Sequence, residues 1–204
     1  MARIEPDILT VALTLVAERG WRGFGLVEVA RRTGLSLAQV HGELPGRAAV
    51  IPALGRRLDA SMLAIRPDEL DAMSPRERLF ELLMRRFDAM VPYRPALRRL
   101  ARDAAGDPQA LLASLCNLHR LAGWLVDAAG RPAGGLRGAV ARKAVIAAYA
   151  RAFRVWLDDD TADQARTLAE LDKSLQQLES LARFGERFCR RREGGEAAAA
   201  PAAA

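Results

Sequence analysis

Apolar residues recur at helical spacing along almost the whole chain, and Gly and Pro punctuate the runs. Leu9, Ala12, Leu13 and Val16 make one stripe between Pro6 and a stop at Gly20. Residues 26–44 then divide into two short helices about a sharp corner, with Ala30, Gly34 and Val40 at its key positions. Ala30 lets the helices cross closely, and Gly34 supplies the left-handed backbone that ends the first of them. Val40 returns an apolar knob to a small core. That spacing predicts a helix-turn-helix, whose second helix is the one presented to a DNA major groove.

The rest of the chain also reads as helix. A fourth helix is expected from Arg47 to about Arg66, bent near its start by Pro52, followed by a break over Pro67–Met73. Ser74-Pro75-Arg76-Glu77 has the form of a capping box and opens a helix with Phe80, Leu83, Met84, Phe87 and Val91 on its apolar side. A shorter Arg-rich helix is expected over Pro92–Ala104. Asp107-Pro108 then caps one that carries Leu111, Leu115, Leu118, Ala122 and Leu125 inward.

Gly130–Gly135 reads as a loop, and Val145, Ala148, Tyr149, Ala152 and Trp156 line the helix after it. Asp158–Thr161 ends that helix and caps the last one. There Leu168, Leu171, Leu175, Leu178 and Ala182 step by three and four, as in a coiled-coil seam. No strand pattern or internal repeat is present in the sequence. The predicted fold is all-α: a helix-turn-helix head over 1–47, a helical body over 48–192, and an Ala-, Gly- and Pro-biased tail over 193–204 expected to be disordered. The last two long helices are expected to join two copies as a homodimer through a four-helix bundle.

Composition narrows the partners. Lys and Arg number 31 against 25 Asp and Glu, a formal net charge of +6, which suits an anionic partner such as nucleic acid or an acidic membrane surface. Only Lys143 and Lys173 are lysines, so an Arg- and Ala-rich genome composition contributes to that balance. Cys116 and Cys189 have no paired spacing, and a reduced, cytoplasmic setting is expected. The apolar run Val11–Ala17 is too short to span a membrane and carries the wrong flanking charges for a signal peptide. Two histidines and two scattered cysteines predict no metal site, and no catalytic motif or cofactor loop is expected.

The order helix, Gly-Trp turn, helix-turn-helix, then a fourth helix opened by a basic residue resembles the DNA-binding domain of TetR-family regulators. Where that family's pattern ends in an aromatic, a Phe and a Lys, this chain has His41, Leu44 and Arg47. The resemblance covers roughly the first quarter of the chain. It implies that Arg22, Ser36, Leu37, Gln39, His41 and Arg47 contact a double-stranded operator, with Gln39 suited to adenine and Arg47 to phosphate. No Arg or Lys lies in the recognition helix, and Gly25 stands where the family usually offers a Thr hydroxyl to phosphate. The resemblance further implies an apolar small-molecule effector in the body. Candidate lining residues are Phe80, Met84, Phe87, Leu115, His119, Trp124, Tyr149 and Phe153; each could equally be plain core.

A second resemblance lies near the other end. Ala148-Tyr149, Arg154–Asp163, Thr167 and Leu171–Leu175 are similar to the C-terminal domain of the lipid-binding ubiquinone (coenzyme Q) biosynthesis protein of TetR-like fold. Thr161 replaces its Ser, and Leu168 stands where an aromatic is usual. That likeness implies an isoprenoid or lipid ligand. Read from the residues alone, Asp160 and Thr161 cap a helix while Tyr149 and Trp156 fill core. Over 181–192, Leu181, Phe184 and Phe188 oppose Arg183, Arg187 and Arg190, a pattern that suits either a membrane interface or a solvated helix end.

Overall fold

The computed structural model describes residues 7–103, 106–130 and 134–180. The head consists of α1 (Ile8–Arg19), α2 (Leu26–Thr33) and α3 (Leu37–Glu43). A 3-10 turn, Arg47–Ala49, leads into α4 (Val50–Met62), which carries the chain from the head into the body. The body follows with α5 (Pro67–Asp71), α6 (Pro75–Met90), α7 (Arg94–Asp103), α8 (Pro108–Ala128), α9 (Gly135–Leu157) and α10 over 165–180. No strand occurs among the described residues, and none of their helices is long and apolar enough to cross a membrane. The all-helical expectation holds. The tail over 193–204, the 181–192 segment, Ala182 of the seam and Cys189 lie outside the described residues.

Local chemistry fixes the helix ends. Ser74 and Glu77 form the expected capping box, with Pro75 in the first helical position. Asp107 caps α8 by accepting from the backbone N–H groups of Gln109 and Ala110 at 3.0 and 3.1 Å. The fourth helix is shorter than expected, because the 3-10 turn takes its first residues. Pro52 therefore falls in the first turn of α4, where its missing N–H has no partner within the helix. The break at Pro67–Met73 holds a short helix, and α6 ends before Val91, whose successor Pro92 shares a 3-10 turn.

One continuous apolar core runs through head and body, from Ile8 and Leu9 on α1 to Leu171 and Leu175 on α10. Leu171 and Leu175 are buried within their own chain, so this part of the seam serves the monomer core. Along α8 the inward residues are Ala110, Leu121, Ala122, Leu125 and Val126, whereas Leu111, Leu112, Leu115 and Trp124 are exposed. The expectation of Leu111 and Leu115 facing inward fails for a definite reason. The first half of α8 has apolar residues all round, so periodicity cannot choose its buried face.

Candidate nucleic-acid interface

The corner between α2 and α3 is built as its sequence predicts. Gly34 takes φ +71° and donates its N–H to the carbonyl of Ala30 at 2.9 Å. Thr33 seals the same turn: its hydroxyl donates to the Val29 carbonyl at 2.9 Å and accepts from the Leu35 N–H at 3.4 Å. Ala30 and Val40 are buried between the two helices. The corner is thus held by backbone, the buried Thr33 hydroxyl and small apolar groups, leaving the outer side of α3 exposed.

A second device was not foreseen. Ser36 Oγ accepts from the Gln39 backbone N–H at 3.2 Å, while Gln39 Oε1 accepts from the Ser36 N–H at 2.9 Å. This capping box stabilises a helix of only seven residues, which could not hold its shape by propensity alone. It also engages two of the six side chains expected to contact DNA, Ser36 and Gln39. Gln39 keeps its amide donors, since only its Oε1 takes part in the box. The Ser36–Gln39 spacing carried the signal for it.

Ser36, Leu37, Ala38, Gln39, His41, Gly42 and Glu43 are all exposed, so the predicted reading face is present. Its cationic flanks are already engaged. Arg32 binds Glu18 at 2.5 Å, and Arg19 and Arg31 both reach Glu28, at 3.3 and 3.2 Å. The hydrogen bond from Arg32 holds the Glu18 carboxyl below its ordinary range. A phosphate approaching these arginines has to compete with carboxylates.

Arg22 and Arg47 both engage backbone carbonyls. Arg47 donates through Nη1 to the carbonyls of Trp21 and Arg22, both at 3.3 Å, and its guanidinium carbon lies 5.9 Å from the Trp21 ring centroid. Arg22 donates to the Gly106 carbonyl at 2.9 Å. Both line a cleft at the seam of head and body, with Asp107, Pro108 and Gln109. Each engages its backbone carbonyls through one terminal nitrogen, Arg47 through Nη1 and Arg22 through Nη2.

That seam is closed by Trp21. Its backbone N–H donates to Asp103 at 2.8 Å, and its indole N–H donates to Asp107 at 2.9 Å. The indole bond is the main influence holding the Asp107 carboxyl below its usual range. Gly20 makes the approach possible: it sits at φ +78°, and a Cβ there would stand 3.0 Å from the Asp103 carboxylate. Asp103 and Asp107 therefore join the turn after α1 to the junction of α7 and α8. Sequence reading found Asp107 as a cap, but its second bond depends on tertiary structure.

The effector candidates separate into two groups. Phe87, Tyr149 and Phe153 form a stack with centroid separations of 5.6 and 5.9 Å, which buried Trp156 extends at 6.0 Å from Phe87 and from Phe153. Phe80 and Met84 pack half-buried against the same core. Leu115, His119 and Trp124 are instead on the outer side of α8, with Leu115 55% and Trp124 48% exposed. They do not line the interior, because α8 buries its other face.

The residues of the second resemblance build the corner between α9 and α10. Asp159, fully buried, accepts from the Thr161 hydroxyl at 2.6 Å and from the Thr167 N–H and hydroxyl at 2.8 and 2.7 Å. Burial pushes its pKa up, but these bonds outweigh burial and hold it at about 2. The Trp156 indole donates to Gln164 at 2.8 Å, and Gln164 donates to Asp88 at 2.6 Å. Gln164 itself takes φ +53°, in the left-handed region. Arg94 and Arg98 donate to the carbonyls of Asp159 and Leu157, at the negative end of α9. Asp159, rather than the expected Asp160, is the residue at the centre of the cap.

No family model matches the chain, and no curated protein matches it. Solved structures do. A TetR transcriptional regulator from Nitrosomonas europaea superposes with a TM-score of 0.70 at 20% identity, over 86% of this chain and 97% of that one. A TetR-family regulator from Streptomyces coelicolor gives 0.59 at 18% identity, over 86% and 81%. A TetR regulator from Rhodococcus sp. RHA1 gives 0.54 at 17% identity, over 84% and 94%. Together with the corner at Gly34 and the helical body behind it, these likenesses establish that the chain has the fold of the TetR-family transcriptional regulators.

Proposed function

We propose that the chain is a DNA-binding transcriptional regulator, acting as a homodimer on a palindromic operator and answering to a small molecule in its body. The exposed outer side of α3, on a head tied to the body through Trp21, is the observation that carries this reading. Leu37, Gln39 and His41 are assigned to base edges, with Gln39 donating to a purine acceptor, and Ser36 to the helix start beside the backbone. Arg47 and Arg22 set the position of the head and are assigned to phosphate through the guanidinium donors that their carbonyl partners do not take. Two copies joined through α9 and α10 would place two heads on adjacent major grooves, about 34 Å apart. The setting is the cytoplasm, and the action is binding rather than catalysis.

Lipid or isoprenoid binding without DNA reading is the competing account, with 181–192 set against a membrane. What favours it is the lack of Arg and Lys from 33 to 46. Gel-shift titration of the full chain against genomic fragments at several salt concentrations separates the two. The regulator binds one fragment well above random DNA and loses affinity steeply as salt rises. Equal, weak binding to every fragment, with retention on liposomes, supports the competing account.

A further inference from the structure

At one place in the body two cations share a single anion. Asp59 on α4 accepts from Arg86 of α6 at 2.5 Å and forms an ion pair with Arg120 of α8 at 2.9 Å, so one carboxylate serves two guanidinium groups. The Arg86 side chain is only 2% exposed, while Arg120 forms the outer edge at 37%. Arg120 has one further acceptor, the amide oxygen of Asn117 at 2.6 Å. The Nε–H groups of Arg86 and Arg120 are both buried without a hydrogen-bond partner. Two unmade hydrogen bonds on buried guanidinium nitrogens are a costly arrangement. The Nε edge of a guanidinium is also the edge that grips a carboxylate with two parallel bonds.

Apolar surface adjoins this cluster. The guanidinium carbon of Arg86 lies 5.9 Å from the Tyr149 ring centroid, and Tyr149 stacks between Phe87 and Phe153. The Tyr149 hydroxyl meets only the Met90 sulfur, at 3.6 Å, a weak acceptor.

We propose that Arg86 and Arg120 seat the carboxylate of an amphipathic effector, whose apolar part lies along Tyr149 and its aromatic neighbours. This rests on the reading of the body as effector-binding, and it changes the expected effector from purely apolar to anionic. The effector carboxylate competes with Asp59 for the two arginines. Asp59 belongs to α4, the helix that runs from the head, so its release loosens the connection by which the head is positioned. The ligand thereby favours one head arrangement over another, as a modulator must.

Calorimetric titration of the full chain without DNA tests the proposal with matched probes. Decanoate is compared with decanol and decyltrimethylammonium, and naphthalene-2-carboxylate with its carboxamide. In at least one set the acid binds about tenfold more tightly than its neutral match. Arg120→Met abolishes that preference while leaving the neutral probe's affinity unchanged. Asp59→Asn, which leaves both guanidinium groups without a carboxylate, strengthens acid binding several-fold; loss of a purely structural ion pair would not. Equal affinities within both sets, no binding by any probe, or weaker acid binding by Asp59→Asn overturns the proposal. Gel shifts without any probe report separately on the regulator reading. Selective DNA binding with charge-blind probe binding defeats the seat alone, and carboxylate binding without DNA selectivity defeats the regulator alone.

Discussion

Two helix corners in this molecule solve the same geometric problem with opposite materials. The α2–α3 corner turns on Gly34 and closes over Ala30 and Val40, so its polar side chains face outward. The α9–α10 corner turns on the buried polar groups of Asp159, Thr167 and Gln164, with exposed Thr161 bonded to Asp159 at its edge. A corner held by backbone and small apolar residues leaves chemistry available for a partner. A corner held by buried hydrogen bonds consumes its chemistry internally. That difference supports the proposal of recognition at the first and structural support at the second, although both carry recognisable sequence patterns.

The largest expected effect comes from breaking the polar corner. Asp159→Ala leaves the buried N–H and hydroxyl of Thr167 unpaired and removes a cap, so it should cost about 3 kcal/mol in urea unfolding. A loss under about 0.5 kcal/mol would refute the buried-network account. Acid should reach the same corner. The Asp159 pKa is about 2 when folded against the ordinary 3.8, so its contribution is complete well above 3.8 and fades as pH falls toward 2. In Asp159→Ala that part of the acid sensitivity should vanish, which unfolding curves collected between neutral and acid pH will reveal.

Next in size is the clasp between head and body. Trp21→Phe keeps a ring in place but deletes the bond to Asp107, at an expected cost of about 1 to 2 kcal/mol. The thermal midpoint should fall, and DNA affinity should weaken uniformly across sequences. A change of sequence preference instead would place Trp21 in base reading and contradict its role at the seam.

The smallest effect sharpens the first corner. A Cβ at Gly25 meets nothing within 4 Å, and Gly25 has an extended backbone at φ −140°, so Gly25→Ser fits without strain. It supplies α2 with the missing cap for a few tenths of a kcal/mol and adds a hydroxyl where phosphate is expected. Gel-shift affinity should rise about two- to threefold at constant sequence preference. Unchanged affinity would separate the start of α2 from the DNA backbone.

What could be read from the sequence follows the same division. The first corner was legible because local backbone rules dictate Gly34 and close packing dictates Ala30 and Val40. The Ser74 box and the Asp107 cap were legible for similar reasons. The direction of α8 was not, since apolar residues surround its first half and neighbours alone decide which face is buried. The α9–α10 residues were visible as a pattern, but hydrogen bonds between Gln164 and Asp88 or Thr167 and Asp159 depend on the assembled fold. Arg47 illustrates the remaining limit. Its position matches a phosphate-binding residue, yet the nearby Trp21 and Arg22 carbonyls engage its Nη1, a contact that depends on the assembled fold.

The central claim is that the outer side of α3 reads a duplex, and selection from a random DNA library tests it most directly. The intact chain and its Gln39→Ala variant are each selected through several rounds and the recovered duplexes sequenced. The account predicts a two-fold symmetric motif for the intact chain and a loss of preference at one base pair in each half-site for the variant. Recovered pools indistinguishable from the starting library would contradict it.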